Sequence, residues 1–157
     1  MNFVILDLEW NGTYSRRIKS FINEIIEFGA VKVNECLCVV DTFSELVKPQ
    51  IGTKLSSKVK SLTNISSEEL GLGLPYTKAV SKFKRFLGDA VLMTWGTSDI
   101  LALMENHKYY LGTDRLDYIT AYINLQSFCE QRVYYEKGEQ MGLSTAAQLL
   151  GIDEQGV

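Results

Sequence analysis

Residues 2–9 read NFVILDLE, an apolar run from Phe3 through Leu8 that carries two acids, Asp7 and Glu9, at its end. So short a run suits a central strand, covered on both faces, whose carboxyl end opens into a site. In a strand, residues two apart point to one face, so Asp7 and Glu9 stand a few ångströms from each other. They are the only acids in the chain with that spacing. Two carboxylates so close repel and raise each other's proton affinity, which makes an isolated pair unfavourable in a buried strand. A divalent cation removes the objection, because carboxylate oxygens suit Mg²⁺ or Mn²⁺ and such ions occur where phosphoryl oxygens are held. Asp-x-Glu is also compatible with two acids that merely leave a strand for solvent or a helix N-terminus. Its place at a strand's carboxyl end, where α/β folds put their ligands, gives it weight.

Working outward, a polar loop with Asn11, Gly12, Arg16 and Arg17 precedes two further strands, over 22–33 and 37–48, joined by a short connection at Asn34-Glu35. That pattern predicts a hairpin. Pro49 and Gly52 punctuate the chain before a Ser/Lys-rich stretch of short helices, one starting at Ser66-Ser67-Glu68-Glu69. Ala79, Val80, Phe83, Phe86 and Leu87 have helical spacing from Pro75 to a stop at Gly88. A strand over 90–95, a helix to about Tyr110, a strand over 117–123 and helices over 124–134 and 143–150 follow. The order predicts an α/β domain in which an antiparallel hairpin joins a parallel portion, with no internal repeat.

With 157 residues, 46% hydrophobic and 22% charged, the chain suits one folded domain. The N-terminal apolar run breaks at Asp7 with no preceding basic residue, so it fails as a signal peptide or a membrane span, and a soluble cytoplasmic protein is expected. Cys36, Cys38 and Cys129 lack metal-finger spacing and read as reduced thiols, the first two sharing a strand face. A net charge of −3 argues against coating nucleic acid by bulk charge. The distribution is uneven: residues 1–85 hold 12 Lys/Arg against 9 Asp/Glu, and residues 86–157 hold 4 against 10. Lys48, Lys54, Lys58 and Lys60 form an acid-free stretch that is either a solvated face or, with Arg16 and Arg17, a polyanion contact.

Asp99 lies just past the second apolar strand, in the first turn of a helix, where capping alone would explain a carboxylate. In order, FVILDLEWN, INEIIEFGAVKV, LTNISSEEL and VLMTWGTSDILAL match the first motif, the next strand, the Thr-Asn-Ile segment and the second motif of DEDDh 3′→5′ exonucleases. Over nearly its whole length the chain resembles this superfamily of ribonuclease T and polymerase III proofreading domains, nearest the branch that trims RNA 3′ ends. The resemblance implies a ribonuclease H-like mixed sheet flanked by helices. It implies that Asp7, Glu9 and Asp99 are catalytic and hold two Mg²⁺ or Mn²⁺ ions, Asp7 bridging both, for hydrolysis of a single-stranded RNA or DNA 3′ end to nucleoside monophosphates. Asn11, Thr63 and Asn64 fall within the matched motifs and are expected at the nucleic acid. Trp10, beside Glu9, and Trp95, four residues before Asp99, are placed to flank terminal bases, with core packing as the alternative.

The family's third motif, a His followed five residues later by Asp, comes after a stretch like LSTAAQLLGI, which stands here at 143–152. No such pair follows before Val157, so residues 1–157 are expected to form a single exonuclease domain without its last helix. The sole histidine, His107, lies in the run ENHKYY and reads as an ordinary surface or partly packed residue. The competing expectation is an inactive module of the same fold that binds single strands or a protein partner.

Overall fold

The structure, a computed structural model, describes residues 1–52, 54–134 and 140–152, with the side chain of residue 58 also left aside. β1 (Asn2–Ser15) and β2 (Ser20–Asn34) pair antiparallel, and β3 (Val39–Leu46) extends the pairing from β2. β4 (Val91–Thr94) lies parallel to β1 and β5 (Tyr122–Asn124) parallel to β4. The five-stranded order β3-β2-β1-β4-β5 is the expected mixed sheet, with β1 at its centre.

β1 runs further than its composition suggests. Asn11 to Ser15, expected in a loop, all pair with β2, and only 16–19 turn. Tyr14 and Phe21 face each other across this arm, edge to face at 5.5 Å, a cross-strand contact that offsets the weak strand propensity of Asn and Gly. The register shifts after Glu9, whose partner is Glu27, while Trp10 pairs with Ile25. Ile26 is thus the extra residue of a bulge. The bulge sets which face each isoleucine takes: Ile25 joins the main core with Phe28, and Ile26 a smaller cluster with Leu55 and Leu70.

Among the described residues six helices flank the sheet: α1 (Ser57–Thr63), α2 (Ser67–Gly71), α3 (Tyr76–Leu87), α4 (Ser98–Leu111), α5 (Leu125–Glu130) and α6 (Leu143–Leu149). α3 buries Tyr76, Ala79, Val80, Phe83 and Leu87 in one core with Val4, Leu6, Leu8 and Phe28, and Gly88 ends it at φ 59°. Ser66 and Glu69 close a capping box on α2. None of the helices described is long and apolar enough to cross a membrane.

Several expected elements are shorter. The strand over 117–123 shrinks to β5, and Leu116 and Ile119 reach the core from a turn. The Asn124 side chain accepts the Ser127 N–H at 3.2 Å and so starts α5, which ends at Glu130. Cys36 and Cys38 do not share a strand face. The Asn34 Oδ1 accepts both their N–H groups at 3.0 Å and folds them into the β2–β3 turn, where Leu37 takes φ 60°. Tyr135 lies outside the described residues.

Two buried polar side chains fix α4 and the loop after β3. Asn106 accepts the Ile25 N–H at 3.1 Å and donates to Asn23 O and Ala102 O. Glu24, only 1% exposed, accepts from the N–H groups of Gln50, Ile51 and Gly52 and from the Tyr110 hydroxyl. Replacing Glu24 with Ala would leave those donors unmatched, and we expect an unfolding free energy lower by about 3 kcal/mol. Chemical denaturation checks this; a loss below about 1 kcal/mol would mean that water takes the carboxylate's place.

Candidate active site

Leu6 and Leu8 enter the core, so by strand alternation Asp7 and Glu9 point to the opposite face of β1. Because β1 and β4 are parallel, their carboxyl ends lie on one edge of the sheet, and the chain leaving β4 turns at Gly96 (φ 79°) into α4. Thr97 caps that helix without a side-chain hydrogen bond, and Asp99 sits in its first turn. The Asp99 Oδ1 accepts the backbone N–H of Leu8 at 2.9 Å. The bond fixes the buried Asp99 carboxylate against the peptide between Asp7 and Glu9, so its role exceeds helix capping.

A fourth acid, Glu27, joins the three read from the sequence. It lies on β2 directly opposite Glu9 and interacts electrostatically with both Glu9 and Asp7. The spacing of acids along a single strand could not reveal it; the signal lies in the hairpin register.

The electrostatics are those of crowded like charges. Loss of water raises the pKa of Glu9 above the ordinary carboxylate range, and Asp7, Glu27 and Asp99 each push it further. Desolvation likewise raises Asp7, whose side chain keeps access to solvent even though protein surrounds it, and Glu27, to which Asp7 adds repulsion. Asp99 is raised by burial and by Asp7, against the lowering effect of the Leu8 N–H and its own N–H. Among the described residues no Lys, Arg or His forms an ion pair with any of the four. Nor do three His, Cys, Asp or Glu side chains there form a ready-made cation cage.

The remaining sequence candidates divide. Trp10 is half-buried against the core and, with Ser98, Leu101 and Glu105, lines a cavity of about 380 Å³ to which none of the four acids contributes. Trp95 is half-buried, its indole N–H enclosed with no hydrogen-bond partner among the described residues. Asn11 is a buried strut: its amide donates to Lys54 O and accepts the Ser56 N–H, holding the chain that enters α1. Thr63 and Asn64 close α1, Thr63 bonding Val59 O and Asn64 taking φ 55° at the C-cap, with no described hydrogen bond to the acids. His107 is buried two turns beyond Asp99, roughly 12 Å along the helix, and packs on Tyr118. Burial and then Lys84 hold it below the usual imidazole range. Residues 1–157 contain no His followed five residues later by Asp, so the third motif has no counterpart among them.

The raised acids predict a pH dependence of stability. A carboxyl that ionises less readily in the folded state makes the folded protein bind more protons between the two pKa values, so stability falls as pH rises through the folded value. Asp7→Asn removes this penalty and is expected to raise the thermal unfolding midpoint at neutral pH. Toward acid, below the unfolded carboxylate pKa, the gain should vanish, and a gain equal at every pH would contradict the electrostatic origin.

The pattern of the RNase_T family, described as exonuclease, matches residues 4–156. The probable 3′-5′ exonuclease KapD of Bacillus subtilis is 31% identical over 110 residues, which cover 67% of this chain and 52% of that protein. Human 3′-5′ exoribonuclease 1 is 30% identical over 107 residues, covering 68% and 28%. The chain thus spans about half the length of the first and about a quarter of the second. The nuclease domain of 3′hExo, a DEDDh family member crystallised with rAMP, superposes with a TM-score of 0.77 at 22% identity, over 99% of this chain and 82% of that one. By fold and by sequence, the chain belongs to the RNase_T exonuclease family.

Proposed function

We propose that residues 1–157 act as one 3′→5′ exonuclease domain, hydrolysing phosphodiesters at single-stranded 3′ ends with two Mg²⁺ or Mn²⁺ ions. The observation that carries this reading is the Leu8–Asp99 bond, which adds a third carboxylate to the Asp7–Glu9 pair. The four acids fit such ions by their chemistry: they are hard oxygen donors with like-charge strain and no described protein cation to relieve it. A closed cage is not required, since Mg²⁺ keeps several waters and binds through one or two carboxylates plus substrate phosphate.

Asp7 and Glu9 would be the direct ligands, with Asp99 held ready from α4. When bound, the ions would supply charge neutralisation at the phosphate and a more acidic water. Glu27 keeps the pocket's potential negative, and Trp10 walls the side on which a terminal base would lie. RNA is favoured over DNA as substrate, supported by the human relative's name and by the rAMP in the 3′hExo structure.

The test uses 3′-labelled RNA and DNA strands with Mg²⁺, Mn²⁺ or chelator. Expected is metal-dependent release of nucleoside monophosphates from the 3′ end, slowed at least about 100-fold in Asp7→Asn, as several kcal/mol of lost charge stabilisation implies. Binding without hydrolysis under all conditions would replace the enzyme with an inactive binding module. Equal rates in Asp7→Asn and the parent would remove Asp7 from the chemistry.

Lys48, Lys54 and Lys60 are exposed and form no described ion pair. If they contact the strand, reversing all three charges lowers affinity and flattens the salt dependence by about 0.7 per lost contact. An unchanged slope in a salt titration would make them a solvated face.

A further inference from the structure

A second cavity, of about 630 Å³, opens along α4 at the tip of the β1–β2 hairpin. Its volume is in the range of small-molecule sites, about 300–1,000 Å³. Ile18 and Ile22 from the hairpin and Met104 from α4 line it with apolar surface. The Arg17 guanidinium lies 3.6 Å from the centre of the Tyr109 ring and donates to the Tyr109 carbonyl. Arg17 is also exposed, and unpaired bases stack on guanidinium planes as they do on aromatic rings.

Charge and position point the same way. Arg16, Arg17 and Lys19 share the four-residue turn, and none has an acidic partner within 4 Å among the described residues. Lys108 adds a fourth cation. The cavity's two acids offset this only in part, since Glu105 accepts the Asn23 N–H and Asp114 pairs loosely with Lys108 at 3.9 Å. Glu105 also lines the smaller cavity that contains Trp10 and Ser98, neighbours in sequence of Glu9 and Asp99. The two cavities therefore share a wall along α4 at Glu105, the smaller one toward the start of the helix and the larger at the hairpin tip. From Glu9 to Arg16 the strand covers roughly 20 Å, a length that suits a single strand of several nucleotides, about four or more per site.

We propose that the groove along α4 holds the strand upstream of its 3′ end, with one unpaired base in the hairpin-tip cavity stacked on Arg17 and its phosphates beside Arg16, Lys19 and Lys108. The occupant is the body of the nucleic-acid chain. Tyr109 supports Arg17 from below and does not itself meet the base. This assignment rests on the exonuclease function proposed for the four acids, and it adds a length requirement to it.

The test is fluorescence anisotropy with a dinucleotide, a decanucleotide and AMP, without divalent metal so that no strand is consumed. Arg17→Ala should weaken decanucleotide binding about tenfold, as the loss of one stacked base implies. Dinucleotide binding should not change. Arg17→Lys keeps the charge but loses the plane, and should show most of the same loss with an unaltered salt slope. A series of decanucleotides with one abasic residue moved stepwise from the 3′ end should lose affinity to the unaltered protein at one upstream position, and Arg17→Ala should abolish that position's effect. This arm is independent of any change in the variant's folding.

Equal losses for dinucleotide and decanucleotide, no loss for either, or no position sensitive to an abasic residue would overturn the assignment while leaving the nuclease intact. If AMP binding alone is lost in Arg17→Ala, the pocket takes a free nucleotide and the strand assignment is wrong. If the unaltered protein binds neither strand, the exonuclease function fails first and takes this site with it.

Discussion

The hydrogen bond from the Leu8 amide to Asp99 joins β1 to the first turn of α4 across ninety-one residues of sequence. It is made from the centre of the sheet to the first turn of the longest helix after β4, so it sets both the height of α4 on the sheet and the direction of a carboxylate. A buried acid accepting a backbone donor resists displacement, because leaving it would strand both partners away from water. The polar contacts further along α4 follow from this registration. Asn106 meets the β2 backbone about two turns beyond Asp99, and Tyr109 meets Ser15 about three turns beyond it, toward the hairpin tip.

The site also depends on a deliberate irregularity. In a regular hairpin Ile26 would share the Phe28 face of β2 and Ile25 would take the opposite one. The bulge after Glu9 lets them serve two separate clusters, one under the sheet and one beneath α1 and α2. It lies next to the acids, where such irregularities commonly re-aim side chains. The same residue, Ile26, offers its carbonyl to Val47 and so guides the chain out of β3 toward the loop that Glu24 holds.

What could be read in advance was whatever left a mark on local sequence. The apolar run ending in Asp7 and Glu9, the amphipathic α3 and the strand before Asp99 each carry a periodic pattern, and their elements appear where expected. The outer arm of the hairpin carried no such mark. NGTYS has turn-like composition, and only pairing with β2 makes it a strand. Glu27 and Glu24 were hidden for a related reason: each acts through a neighbour far along the chain, Glu27 across the hairpin and Glu24 on the 50–52 backbone. Asn11 carried a partial signal. Its place after the first motif marked it as important, whereas its partners at 54 and 56 show that it braces α1.

The length of the paired arm has an evolutionary consequence. Between Trp10 and Ser20 the two strands are locked face by face, and a strand's side chains invert with every single-residue shift. A lineage that gained or lost one residue in only one arm would turn Ile22 outward or bring Phe21, now exposed, into the cleft with α4. Insertions and deletions in this region are therefore channelled into two forms: matched changes in both arms, which move the tip outward or inward, or changes within the four-residue turn. Hairpin length should drift among descendants of this chain while the residues at its base stay in step.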